Sequence, residues 1–481
     1  MSGLDLAVIA GYLLLTLGVG ALATRRSRRS RHAGGADDYF LGARDLPAWA
    51  VMLSVVATET SALTVISVPG IAARGDFTFL QLAFGYLLGR IVVAAWLLPG
   101  YVDGTQQTAY QRLEARFGAP VRRALAAVFL ATRFLADGVR IFAGAIPLAL
   151  VTGWDVALSI VAMGGVTLLY TFTGGLRAVV WADVLQLAVY VAGGVAALYV
   201  ALQLVGDPAV AWARAAEAGK LRLFDFSLDA RFGFFAGLLG GALLSAASHG
   251  TDHIVVQRLL ATRSLRDARV ALVGSGVLVI AQFALFLAVG TALWAAGHAP
   301  AGTPGDELFP RFVITQLPAG LAGLVIAGIL AAAMSTISSS ISAMASSFTY
   351  DLYASWRGRD RDAAHLLQMG RWFSLLWGLL LIGGALGFHA FASGRDTPVV
   401  VLALSIASVT YGALLGSYVL AGTKVLGRDV ITGATVSVVV MLGLVMGAKL
   451  SFLWTVPLGT ALTVLVALAR AALSGPQNPP A

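Results

Sequence analysis

At 481 residues, 58% hydrophobic and 12% charged, the chain carries about half the charge fraction of a soluble domain, which excludes a soluble globular protein and points to a polytopic membrane protein. The absence of cysteine excludes disulfides, thiolate metal sites and cysteine nucleophiles. A net charge of +9 raises nucleic acid as a partner, and the distribution of that charge along the chain decides the matter.

Apolar stretches of roughly 20 residues recur from end to end, and about thirteen spans can be fitted. The first, Leu4 to Leu22, has no basic residue before it and Arg25, Arg26, Arg28, Arg29 and Arg31 after it. That polarity is the reverse of a cleaved signal peptide and predicts a retained helix with its N-terminus outside. Leu46 to Gly70 is an apolar run interrupted at its middle by Ala57, Thr58, Glu59, Thr60 and Ser61. Backbone can leave a helix at membrane depth only where it lines a buried or watery cavity, so a broken helix is expected here, the alternative being an intact helix with Glu59 facing its neighbours. After a span at about Phe77 to Leu98, the span at about Ala124 to Val151 carries Arg133, Asp137 and Arg140 at i, i+4 and i+7 on one face. Asp137 can neutralise one arginine. The positive charge left over would suit a bidentate carboxylate ligand, unless Arg133 snorkels to the headgroups and Asp137 with Arg140 is purely structural.

The fourth span closes on Gly174 and Gly175, a tight turn, and places Asp183 about two turns into the fifth, where a carboxylate needs a cation partner, side chain or bound ion. Residues 205 to 231 form the longest external connection, with an amphipathic segment at Ala209 to Leu221. The sixth span, Phe232 to about Val256, contains His249, Asp252 and His253 at i, i+3 and i+4, a metal-ligand spacing with no further histidine or glutamate nearby, beside Gly250 and Thr251, which equally suit a helix irregularity. The seventh span covers about Val270 to Ala295.

The eighth, ending at Tyr350, carries hydroxyls at Ser335, Thr336, Ser338, Ser339, Ser340, Ser342, Ser346 and Ser347. Ser335, Ser338, Ser339 and Ser342 share one helical face. Neutral oxygens without nitrogen or sulfur ligands suit a hard monovalent cation, whereas the plainer reading is a small-residue packing face between helices. Spans at about Trp372 to Phe388, Val399 to Ala421 and Val430 to Gly447 follow, then a last one ending near Ala472 and a Pro-rich tail expected to be disordered. If the spans alternate sides, most arginines, Arg258 among them, fall in cytoplasmic segments, leaving Arg90, Arg133 and Arg140 at membrane depth. The basic excess is therefore a positive-inside signature rather than a nucleic-acid patch.

The interrupted spans at Leu46 to Gly70 and Phe232 to Val256 each open a group of five, the pointer to an inverted repeat with its binding site at the midplane. Residues 171 to 186 (TFTGGLRAVVWADVLQ), 250 to 258 (GTDHIVVQR), the serine-rich stretch to Tyr353, and 411 to 422 (YGALLGSYVLAG) together resemble the sodium:solute symporter family, from about Tyr39 to Gly447. Its members carry glucose, proline, iodide, monocarboxylates, vitamins and sialic acid. The resemblance implies an all-α polytopic membrane fold of ten core helices in a five-plus-five inverted repeat: residues 1–44 an extra helix and basic loop, 45–204 the first repeat, 205–231 the external connection, 232–423 the second repeat, and 424–481 extra helices and tail. It also implies a main Na⁺ site at Ala57, Thr60, Ala332, Ser335 and Thr336, and a second at Asp183, Ser338 and Ser339 found in some members. Solute positions would be Thr58, Glu59, Thr64 and Arg140. Glu59 falls where the proline-like branch is acidic and sugar carriers are not.

The expected function is sodium-coupled import of a small, carboxylate-bearing solute by alternating access, with Arg140 as the counter-charge and Glu59 serving an amine or the cation. The partners are the solute, Na⁺ and the lipid bilayer, in a plasma membrane with the C-terminus cytoplasmic. Competing readings are proton coupling through Glu59 or Asp183, a sugar- or vitamin-type carrier, and, from another class, a membrane-embedded enzyme at His249, Asp252 and His253.

Overall fold

A computed structural model describes residues 2–29, 35–102, 106–227, 233–300, 302–357, 362–392, 399–447 and 452–474. The Pro-rich tail and parts of the basic loop after the first helix lie outside these residues. The described chain is a bundle of helices: α1 (Gly3–Arg29), α2 (Ala48–Glu59), α3 (Ala62–Arg74), α4 (Leu80–Trp96), α5 (Ala119–Thr152), α6 (Val156–Val205), α7 (Phe234–Gly250), α8 (His253–Leu260), α9 (Leu265–Ala295), α10 (Leu321–Ser347), α11 (Ala363–Ala392), α12 (Val399–Leu420), α13 (Gly427–Gly447) and α14 (Phe452–Leu473). Among the described residues, seven helices are long and apolar enough to cross a membrane, and α2 with α3 forms a further span bent by 70°.

That bend sits where the polar run interrupts the apolar stretch. Helix α2 ends at Glu59, and the side chain of Ser61 caps α3 by accepting from the Thr64 amide. A second interruption separates α7 from α8, where Asp252 caps α8 by accepting from the Ile254 amide. The glycine turn expected between the fourth and fifth spans is a kink inside α6 at Gly175, with φ +56°. Only glycine fits there, because a Cβ would meet the Tyr39 carbonyl oxygen at 2.3 Å.

Helix α10 is the axis of the bundle. Nearly all its residues from Ala322 to Ser347 are buried, including every hydroxyl of the serine stripe. Small residues let α6 lie against it backbone to backbone: a Cβ on Gly328 would sit 2.8 Å from Tyr190 Cα, and one on Gly193 3.1 Å from Val325 Cα. Helix α1 is fastened to the same axis. Asp5 Oδ1 accepts from the Gly320 and Gly323 amides at 2.7 and 2.9 Å, satisfying orphan donors at the start of α10. Helices α4 and α7 pack just as tightly, since a Cβ on Gly89 would meet the Ala242 carbonyl at 2.2 Å and one on Gly85 the Gly237 carbonyl at 2.5 Å.

On the expected outer side, Lys220 from the long connection donates to the carbonyls of Ala73 and Gly75, each at 2.9 Å, and of Ala72 at 3.3 Å, at the end of α3. Its ammonium lies 4.7 Å from the Trp294 ring centre, and burial lowers its pKa. A short helix, Gly305–Gln316, follows α9; its acidic first turn and internal Pro310 gave no spanning signal.

Candidate functional site

The site is the meeting of the α2–α3 break with α10 and α6. A helix end leaves its last four carbonyls without intrahelical donors, which here are those of Ala57, Thr58, Glu59 and Thr60, since the Thr60 amide still bonds to the Val56 carbonyl. The Thr60 hydroxyl is used locally: it donates to the Val56 carbonyl at 2.9 Å and lies 3.0 Å from Gln282 Oε1 and 3.2 Å from Tyr190 OH. Thr58 reaches α10, its hydroxyl oxygen 3.1 Å from that of Ser339. One turn earlier, Ser54 Oγ donates to Asp183 Oδ2 at 2.5 Å, and Ser335 Oγ on α10 donates to Asp183 Oδ1 at 2.6 Å. Asp183 thus joins the broken helix to the serine face.

The remaining expected ion ligands lie on the same stretch of α10. Thr336 donates to the Ala332 carbonyl at 3.2 Å, while Ser338 and Ser339 donate to the Ser335 carbonyl at 3.1 and 2.6 Å. Each hydroxyl proton is spent on its own helix or on Asp183, so an ion could be offered oxygen lone pairs alone, and the Ser339 oxygen already accepts from Arg258 Nη2. Ala57, Ala332 and Ser335 are fully buried and Thr336 nearly so. A set of neutral oxygens around a helix end is chemistry for an alkali cation.

The four expected solute residues differ from these in keeping partial exposure: Thr58, Glu59, Thr64 and Arg140 are neither buried nor free. Thr64 lies beside the break, its hydroxyl 3.3 Å from that of Ser61. Glu59 has cationic partners within the protein. Arg90 of α4 donates to its Oε2 and also to Ser275 Oγ at 2.8 Å, and His249 Nε2 lies 3.6 Å from the same carboxylate.

The charge left over among Arg133, Asp137 and Arg140 is corrected. Arg133 turns to Asp252 at the second break and to Tyr411 OH at 2.7 Å, with Asp137 only 3.5 Å away. Asp137 accepts from Arg140 Nη1 at 2.8 Å and from Ser340 Oγ at 2.6 Å. Arg140 spends one guanidinium nitrogen on Asp137 and retains 18% side-chain exposure. Arg258 is another correction: instead of lying in a cytoplasmic segment it is fully buried and pairs with Asp183 at 3.0 Å. Glu59, Asp137, Asp183 and Asp252 are therefore matched by Arg90, Arg140, Arg258 and Arg133. Unpaired charges at membrane depth are costly, so that matching was open to counting, but only the fold says who pairs with whom.

The metal-ligand spacing of His249, Asp252 and His253 does not become a cluster, and no group able to hold a metal occurs among the described residues. His249 faces Glu59 and Ser248, Asp252 faces Arg133, and His253 lies 3.1 Å from Ser346 Oγ and 3.4 Å from the Ala109 amide. The break turns each side chain to a different neighbour. Two residues that sequence reasoning passed over, Gln282 and Tyr190, brace Thr60 at the break; an amide in the middle of the apolar α9 run was the available signal for Gln282.

The model of the sodium:solute symporter family matches residues 39–421. The human sodium/iodide cotransporter is 31% identical over 440 residues, 86% of this chain and 65% of that protein, so the chain spans slightly less than two thirds of that relative. The human sodium-coupled monocarboxylate transporter 1 is 30% identical, with 86% of this chain and 68% of its own length aligned. The sodium/sialic acid symporter of Proteus mirabilis is 29% identical across 73% of this chain and 71% of its own length. Among solved structures, a Na⁺-coupled sialic acid symporter in a substrate-bound, outward-open state superposes with TM-score 0.85 over 99% of both chains at 24% identity. A nucleobase-cation-symport-1 family transporter superposes with TM-score 0.54 at 14% identity, covering 91% of this chain and 95% of its own. These likenesses fix the fold as the inverted-repeat architecture of sodium-coupled transporters.

Proposed function

Because the chain belongs to the sodium:solute symporter family, we propose that it couples inward movement of Na⁺ to uptake of a small, carboxylate-bearing solute by alternating access. The observation that carries this reading is the contact of the open end of α2 with the hydroxyl face of α10, through Thr58 with Ser339 and through the Ser54–Asp183–Ser335 chain. Carbonyls of Ala57, Thr60 and Ala332 with the hydroxyl oxygens of Ser335 and Thr336 would hold the ion. Each Na⁺ entering down a membrane potential supplies roughly 2.3 kcal/mol per 100 mV, the energy that accumulates solute. The proposed organisation keeps two repeats, 45–204 and 232–423, in a plasma membrane with the N-terminus outside and the C-terminus cytoplasmic.

Two relatives carry acids by name, a monocarboxylate and sialic acid. The partly exposed side chain of Arg140 is the group that would receive such a carboxylate, with Thr58, Glu59 and Thr64 as the other proposed solute positions. Proton coupling is the weaker reading, since it needs a carboxylate free to lose its charge, and Glu59 and Asp183 are each held by an arginine. Uptake of small monocarboxylates, sialic acid and amino acids into proteoliposomes at fixed pH, with Na⁺ replaced by K⁺, tests the coupling. Uptake is expected only with Na⁺, and Arg140→Ala is expected to weaken solute affinity; equal uptake in K⁺ buffer would reject the reading.

A further inference from the structure

Thr60 at the end of α2, Gln282 of α9 and Tyr190 of α6 meet in one buried polar group. Their contacts admit an assignment that uses every hydroxyl proton. The Thr60 hydroxyl donates to the Val56 carbonyl at 2.9 Å, Gln282 Nε2 donates to the Thr60 hydroxyl oxygen at 2.9 Å, and Tyr190 OH donates to Gln282 Oε1 at 3.1 Å. The Thr60 amide bonds to the same Val56 carbonyl at 3.1 Å, although the Thr60 backbone has already left the helix, with φ −79° and ψ 111°. Its own carbonyl is one of the four that the helix end leaves without an intrahelical donor.

The two anchoring side chains come from elements that already hold the site on either side. Tyr190 belongs to the contact between α6 and α10, where a Cβ on Gly328 would sit 2.8 Å from its Cα. Gln282 sits midway along α9, which lies beside both halves of the broken helix: Gly274 is packed under Met52 of α2, and Gly290 lies against the Pro69 carbonyl of α3. Apolar side chains would let α9 splint the break equally well. A buried amide costs free energy unless it is hydrogen-bonded, and what this one adds is a fixed position for Thr60.

We propose that Gln282 is a positioning residue for the main Na⁺ site: acting through Thr60, it holds the carbonyls of the break in register with the hydroxyls of α10, and Tyr190 holds the Gln282 amide in turn. The inference rests on the sodium-coupled reading. It adds that ion affinity is set from α9, a helix that supplies none of the proposed ligands. Without the amide the Thr60 peptide is free to sample other orientations, so an arriving Na⁺ must order it, and the cost of that ordering is subtracted from affinity.

The test is equilibrium binding of ²²Na⁺ to the purified full chain, without solute. Gln282→Met keeps the side-chain volume and deletes both hydrogen bonds, and is expected to raise the Na⁺ Kd about fivefold to tenfold while the amount bound at saturation stays that of wild type. Thr60→Val keeps the backbone carbonyl and removes the hydroxyl, and is expected to raise Kd likewise. The double variant should be no weaker than the weaker single one, because both changes cut the same chain of bonds. A wild-type Kd in Gln282→Met, with or without a lower unfolding temperature in Na⁺-free buffer, makes the amide merely structural and overturns the proposal, as do shifts that simply add in the double variant. If Gln282→Met does not fold, Tyr190→Phe, which loses only the hydroxyl on Gln282 Oε1, decides: a rise in Kd of about twofold to fourfold supports the proposal and an unchanged Kd overturns it. A wild type that binds no Na⁺ instead rejects the function proposed above.

Discussion

The two interrupted helices are built alike and end differently. Each carries a carboxylate at its break, Glu59 in one and Asp252 in the other, and each carboxylate is held by an arginine from a continuous helix, Arg90 of α4 and Arg133 of α5. At the second break Asp252 also caps the helix that follows, and its surroundings are filled by Arg133 and Tyr411. At the first break the cap comes from Ser61, which releases Glu59 from that duty, and the Thr58 hydroxyl reaches that of Ser339 on α10. At the first break the cap and the arginine-held carboxylate are carried by different residues, whereas at the second Asp252 does both.

This contrast can be broken most severely at the first arginine. Glu59→Gln removes the negative charge that neutralises the fully buried Arg90, and thermal unfolding in detergent should show a loss of about 3–5 kcal/mol, the cost of stranding a buried charge. Asp252→Asn is expected to cost less, roughly 1–3 kcal/mol, because Arg133 keeps Asp137 and Tyr411 while asparagine can still cap α8. An equal loss in the two variants would mean that the breaks share one design after all. Thr336→Ala removes one oxygen from the proposed main site and should weaken the Na⁺ dependence of uptake by about tenfold, worth ~1.4 kcal/mol, with little change in unfolding temperature. Ser61→Ala removes only a cap and is expected to cost about 1 kcal/mol of stability, read by the same unfolding measurement.

Much of this architecture was legible in the sequence. The polar run from Ala57 to Ser61 inside an apolar stretch announced the first break, the Gly174–Gly175 pair announced the kink in α6, and the eight hydroxyls, read as a cation face or else a packing face, lie on a helix that the fold buries. What stayed hidden was partnership. Asp183 and Arg258 are 75 residues apart, and Arg133 and Asp252 are 119 apart, so local spacing could pair Arg133 only with Asp137. Arg258 also follows a break, where a helix restarts in a new direction, and counting spans placed it outside the membrane when the fold turns it inward. The His249–Asp252–His253 spacing misled for the same reason, since helical periodicity does not survive an interruption.

The glycine seam between α4 and α7 has a practical consequence. With Gly85 and Gly89 lying against the carbonyls of Gly237 and Ala242, there is no clearance for α4 and α7 to slide past one another. A natural sequence without cysteine is a ready background for paired-cysteine crosslinking. A staple across that seam should leave turnover intact, whereas one joining α2 to α10 should arrest it.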